Sequence, residues 1–244
     1  MSEQQKTAQK TALVVSAHSA DFVWRAGGAI ALYASRGYRV LIVCLSYGER
    51  GESAKLWKKG GYTLDMVKAE RRVEAEKAAA ILGGETIFFD LSDYPLRVPD
   101  EALYRLADIF REHRPEFVLT HSLHDPYNFD HPLAAHVAQE ARVIAQAHGH
   151  KPGEAVIGAP GVFLFEPHQP EQCEWKPQVI LDITSVWEQK RRAIEAMEGQ
   201  EHLWEYYTRV ALQRGVQGKR NSGRMMTYGE AYQRIFPLVT DEFR

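Results

Sequence analysis

Six short runs of branched and aromatic residues punctuate the chain, and a longer stretch with helical spacing separates most neighbouring pairs. The runs are Ala12-Leu-Val-Val15, residues 38–45, Thr86-Ile-Phe-Phe89, Phe117-Val-Leu119, Val162-Phe-Leu-Phe165 and Val179-Ile-Leu181. Helical stretches are predicted over about 21–35, from a Thr63 cap to Gly83-Gly84, over 101–113 and 132–147, and from Ser185 to about Gly199. In the third-run approach, Met66, Ala69, Val73 and Ala80 are the expected core face, and Ser185 with Glu188 has capping-box spacing. Connections of this length do not make hairpins. They make βαβ units with right-handed crossovers, hence a mostly parallel sheet. The stretch 200–244 reads as helix and loop flanking that sheet.

The expectation is therefore α/β: a Rossmann-like, mostly parallel sheet flanked by helices. Residues 1–10 read as a polar tail and 11–244 as one domain. A length of 244 residues suits one large domain, and 45% hydrophobic residues supply its core. The net charge of −2 gives no basic footprint for nucleic acid. No apolar run approaches the roughly 20 residues of a membrane span, and residues 1–10 lack the apolar stretch of a signal peptide. Cys44 lies within a strand pattern, so a buried thiol is expected rather than a disulfide. A soluble cytoplasmic protein, able to form a homo-oligomer, is the expectation.

In an open parallel sheet, ligands bind beyond the carboxyl ends of the strands. Titratable residues collect there. His18 and Asp21 follow the first run, and Ser46-Tyr47-Gly48-Glu49-Arg50-Gly51 the second. His121, His124, Asp125, Asp130 and His131 follow the fourth, and Glu166-Pro167-His168 the fifth. Imidazoles and a carboxylate around an open position are the ligand set of catalytic zinc, and His18, Asp21 and His131 provide one. Glu49 reads either as a carboxylate presented into a cleft by its glycines or as a solvated turn residue. His168 is equally open. Arg220 and Arg224 are either a solvated run or a carboxylate clamp.

Several ordered motifs resemble those of the PIG-L/LmbE-like zinc deacetylases. Ala17-His18-Ser19-Ala20-Asp21 with Gly27-Gly28 is similar to their Ala-His-Pro-Asp-Asp…Gly-Gly opening. Ser46 to Gly51 is similar to their Thr-x-Gly-Glu-x-Gly loop, and Asn128-Phe129-Asp130-His131 to their His-Pro-Asp-His motif. The segment from Asp182 to Lys190 is similar to their late aspartate-to-lysine segment. The resemblance implies a divalent metal, zinc or else Fe²⁺ or Co²⁺, on His18, Asp21 and His131. It also exposes two departures. Ala20 stands where the family has its general base, and Asn128 where it has an assisting histidine. Each such group contributes about 10²–10⁴-fold.

That pattern resembles the family's 4-oxalomesaconate (4-carboxy-2-hydroxymuconate) hydratase branch of gallate and protocatechuate catabolism. The resemblance implies a small-molecule tricarboxylate substrate and water addition across a carbon–carbon double bond. Glu49 and His168 would then move the protons, while Arg50, Arg220, Arg224 and Asn128 would bind the substrate. An amino-sugar N-deacetylase with Glu49 as base, and a non-catalytic metal-binding module, are the alternatives.

Overall fold

A computed structural model describes residues 9–242; most of the polar tail at 1–10 lies outside the described residues. Seven strands form one sheet in the order β3-β2-β1-β4-β5-β7-β6. They are β1 (Thr11–Ser16), β2 (Arg39–Cys44), β3 (Gly84–Phe88), β4 (Phe117–Thr120), β5 (Gly161–Phe165), β6 (Val179–Asp182) and β7 (Gly229–Arg234). The first five pair in parallel, and only β7 runs against its neighbours. The helices are α1 (Asp21–Ser35), α2 (Ala54–Lys58), α3 (Leu64–Leu82), α4 (Asp100–His113), α5 (Asp130–Gln146), α6 (Trp187–Glu195) and α7 (Trp204–Ser222).

The period of two along a strand divides the core into two layers. Ala12, Val14, Val40 and Ile42 face α1, α3, α6 and α7, whereas Leu13, Val15, Leu41 and Val43 face α4 and α5. Both faces are covered, so β1 and β2 are apolar almost throughout, as parallel strands require. The Cys44 thiol is buried and free in the first layer. From β1 the chain moves outward through β2 and β3, then returns to lay β4 on the other side of β1. Adjacent loops diverge at that switch point and leave a crevice beyond the ends of β1 and β4.

Three expectations need correction. The face of α3 is reversed. Val67, Arg71, Ala75, Ala78, Ala79 and Leu82 are buried, while Met66 and Val73 are 47% and 63% exposed. Arg71 lies in the middle of the true stripe and disguises it. Its guanidinium is fully buried because it donates to Glu74 (2.5 Å) and Gln200 (2.9 Å). Ser185 caps nothing. A 3₁₀ turn, Thr184–Val186, opens α6, and the Thr184 amide is instead taken by Asp182 (3.0 Å). The stretch after 200 also contains β7, which enters the sheet between β5 and β6. By contrast Thr63 does cap α3, its hydroxyl accepting from the Met66 amide (3.3 Å), and Gly83 ends that helix in the left-handed region at φ 79°.

β7 hides a carboxylate in the core. Glu230 accepts from the Gly28 and Ala29 amides of α1 (2.6 and 2.7 Å), from Lys190 of α6 (2.6 Å) and from the Tyr232 hydroxyl (2.7 Å). Lys190 also donates to the Trp24 carbonyl (3.0 Å). A Cβ on Gly28 would lie 2.7 Å from Ile183 and 2.9 Å from the Glu230 carboxylate. The glycine permits that approach, and the helix carrying the crevice residues is thereby locked to the sheet.

Candidate metal centre and cleft

The turn after β1 is held from several sides. Ser16 donates to the His18 carbonyl (2.9 Å), and Ser46, after β2, to the Ala17 carbonyl (3.0 Å). The Ala17 amide donates to His121 Nε2 (2.9 Å) after β4. His18 and Asp21, at the start of α1, are 0% and 2% exposed. His131, in the first turn of α5, comes to meet them. The three predicted ligands thus converge, and Glu52 joins them. Ligand atoms of His18, Asp21, Glu52 and His131 all lie within 4.8 Å of one another.

The individual contacts fit a cation. His18 Nδ1 lies 3.1 Å from Asp21 Oδ2 and 3.1 Å from Glu52 Oε1, and His131 Nε2 lies 3.5 Å from Asp21 Oδ1. His18 Nδ1, His131 Nε2 and Glu52 Oε2 are buried without a hydrogen-bond partner. Buried polar atoms are normally satisfied, so orphaned atoms on three members of one cluster fit residues suited to hold an ion. The outer nitrogens are satisfied. His18 Nε2 meets Asp130 (3.1 Å) and His131 Nδ1 meets Asp125 (2.8 Å). Carboxylates behind ligating imidazoles orient the rings and raise their basicity. These are fixed in turn, Asp130 by the Tyr94 and Leu96 amides (3.0 and 2.9 Å) and Asp125 by the Tyr127 amide (3.0 Å).

Electrostatics agree. Burial alone would lower the His18 pKa, but Glu52, Asp130 and Asp21 reverse this and hold it well above its ordinary value. The cluster therefore carries excess negative charge that a divalent ion would balance. His121 stacks on His131 (centroids 4.3 Å apart, 13° between planes), and burial together with His131 keeps it well below the usual histidine range.

A cavity of about 230 Å³ opens over this cluster, lined by Arg25, Glu52, Asn128, His131, His168 and Gln200 among others. It adjoins a chamber of about 720 Å³ through the shared residues Glu52, Tyr94 and Gln200. His168 stacks on Tyr206 (centroids 4.1 Å) and accepts, at its carbonyl, from the Tyr206 hydroxyl. Burial and the nearby Arg25 push its imidazole below the ordinary value. Asn128 donates to the Tyr94 hydroxyl (2.9 Å) and lines the cavity as expected.

The other expected residues are elsewhere. Glu49 is fully buried but folded back on its own loop, accepting from the Tyr47 amide (3.2 Å) with Lys68 at 3.9 Å; burial and Asp93 raise its pKa. The loop makes one helical turn, with the Glu52 amide donating to the Gly48 carbonyl (3.1 Å), which aims Glu49 inward and Glu52 at the cleft. Arg50 is exposed, and its amide is taken by Asp93. Arg220 and Arg224 are exposed at the far end of α7. Arg220 is thirteen residues past the cleft residue Tyr207, about 20 Å at a helical rise of 1.5 Å. The cleft's cation is instead Arg25, which is 8% exposed, one turn after Asp21 on α1. Its i,i+4 spacing from Asp21 was the available signal.

Comparison with known proteins agrees with this geometry. The PIG-L model, described as GlcNAc-PI de-N-acetylase, matches residues 13–142. A 4-oxalmesaconate hydratase of Pseudomonas putida is 66% identical over 239 residues, 96% of this chain and 93% of that one. The crystal structure of GalB, the 4-carboxy-2-hydroxymuconate hydratase of Pseudomonas putida, superposes with a TM-score of 0.95 at 65% identity, covering 97% of this chain and 100% of that one. A diacetylchitobiose deacetylase of Thermococcus kodakarensis is 29% identical over 220 residues, 84% of this chain and 78% of that one. With half its length matched by the family model and nearly all of it by a relative 66% identical, the chain belongs to the PIG-L family.

Proposed function

We propose that the protein is a metal-dependent hydro-lyase that adds water to a carbon–carbon double bond of 4-oxalomesaconate, also called 4-carboxy-2-hydroxymuconate, in gallate or protocatechuate catabolism. The observation that carries this reading is the 66% identity, over 96% of the chain, to a relative with that name. The chemistry of the cleft supports it. Ala20 is buried at the start of α1 and offers no carboxylate, so hydrolysis of an amide by the deacetylases' route lacks its base.

His18, Asp21 and His131 would hold the ion, leaving one position open. Zinc fits the mixed nitrogen and oxygen set; Fe²⁺ and Co²⁺ are the competitors. When bound, such an ion acts as a Lewis acid that stabilises enolate character in the substrate. The chain's residues do the rest. His168, held below its ordinary pKa, is neutral at pH 7 and can accept a proton at one ring nitrogen. Glu52, whose Oε2 is buried without a hydrogen-bond partner, relays that proton to the second carbon, so that the oxygen and the proton of one water both end on the substrate. Asn128 and Tyr94, already bonded to each other, present an amide and a hydroxyl to the substrate.

The test is purified, zinc-loaded protein supplied with the ring-cleavage product. Loss of the conjugated dienol's ultraviolet absorbance is expected, with no acetate released from N-acetylglucosamine derivatives. Acetate release without dienol loss would establish the deacetylase instead.

A further inference from the structure

The cleft is rich in carboxylates, yet the proposed substrate carries three of its own. Asp21, Glu52 and Asp125 all line the cavity, so an anion needs a fixed positive charge besides the metal. Arg25 has the required placement. Its side chain is 6% exposed, and its Nη1 donates to the Glu166 carbonyl (3.3 Å). Its Nε is buried without a hydrogen bond, 3.5 Å from Asp21 Oδ1, and its Nη2 bonds to nothing among the described residues. Glu166 does not neutralise it, because that carboxylate is taken bidentately by Arg214. Asp21 is committed to the metal cluster. A buried guanidinium that lines the cavity, keeps one nitrogen without a hydrogen bond and shares its only nearby carboxylate pairing, Asp21, with the metal cluster is placed to receive a carboxylate.

We infer that Arg25 is the specificity-determining anchor for one carboxylate of a polycarboxylate substrate, engaging it through Nη2 beside the metal centre. The inference rests on the hydratase reading for the identity of the substrate, and on the geometry alone for the anion site. It places the substrate's charged end against α1, with the remainder directed past Glu52 and Tyr94 toward the larger chamber.

The test uses trans-aconitate, a tricarboxylate, titrated calorimetrically into zinc-loaded native protein, Arg25→Gln and Arg25→Lys, with zinc content measured on each. A charge-assisted hydrogen bond removed from such a site weakens binding about 10–100-fold. The expected result is that loss in Arg25→Gln at unchanged zinc stoichiometry, with much of the affinity restored in Arg25→Lys. Zinc loss from both variants at unaltered affinity per loaded site would mean that Arg25 merely supports Asp21, and would overturn the proposal. So would Arg25→Gln binding within twofold of native, or native protein that fails to bind trans-aconitate. Dienol turnover is measured in parallel. Native protein that binds through Arg25 but never consumes the dienol removes the hydratase reading and leaves the anion site. Native protein that turns over normally while Arg25→Gln keeps the native KM removes the anchor.

Discussion

Replacing Glu230 by Gln leaves the shape of the β7–α1–α6 junction almost unchanged and removes one charge. Lys190 is 2% exposed, and it would keep only neutral acceptors, the amide oxygen of the new side chain and the Trp24 carbonyl, with no countercharge. An ammonium stranded in this way costs about 3–5 kcal/mol. For a chain of this size each kcal/mol moves Tm by about 2–4 °C, so Glu230→Gln should melt about 6–20 °C below native. Lys190→Met is the milder change, because the Glu230 carboxylate keeps the Gly28 and Ala29 amides and the Tyr232 hydroxyl. The double variant should recover part of the loss, since neither charge is then left alone. Urea unfolding of the four proteins at fixed zinc concentration measures the cycle. A Glu230→Gln loss below about 1 kcal/mol, or a double variant no better than Glu230→Gln, would refute the reasoning.

Glu52→Gln should lower kcat by about 10²-fold or more with the fold intact, while Glu49→Gln should leave turnover within a few-fold of native; steady-state assays on the pair decide which glutamate serves the cleft. Because His168 is held below its ordinary pKa, the acid limb of kcat/KM should fall below pH 6.5, with activity rising as the imidazole loses its proton. His168→Ala should abolish that limb. The same depressed value means that the unfolded chain binds more protons below about pH 6.5, so this residue's share of stability fades as pH drops through that window. Chelation should lower Tm by about 8–16 °C if the ion is present at about a thousand times its Kd, and unchanged melting after verified metal removal would count against a resident ion.

The strand alternation and the strand-end residues were legible in the sequence because both follow from local pattern. His18, Asp21 and His131 lie where a parallel sheet must place them. What escaped was set by long-range partners. The true face of α3 is hidden by Arg71, whose burial makes sense only once Gln200 is beside it. β7 escaped because Glu230 breaks its apolar alternation, and nothing near residue 230 announces α1 amides waiting more than two hundred residues away. Glu49 and Glu52 differ only by the direction of one loop turn, which composition does not encode.

The position of β7 also governs the order in which the molecule can be finished. β6 has no partner in the sheet except β7, and β5 gains its outer neighbour from the same strand. On a ribosome the first five strands can pair as they emerge, but β6 must wait until residue 234 has left the exit tunnel. Until then β5 remains an open edge, a template for mispairing. The Gly28 and Ala29 amides also lack their carboxylate partner, so the helix that presents Asp21 and Arg25 is not yet fastened to the sheet. The candidate metal centre is thus expected to close only at the end of synthesis. Nascent chains stalled before residue 229 should be protease-sensitive and retain little zinc, even though every predicted ligand has already been translated.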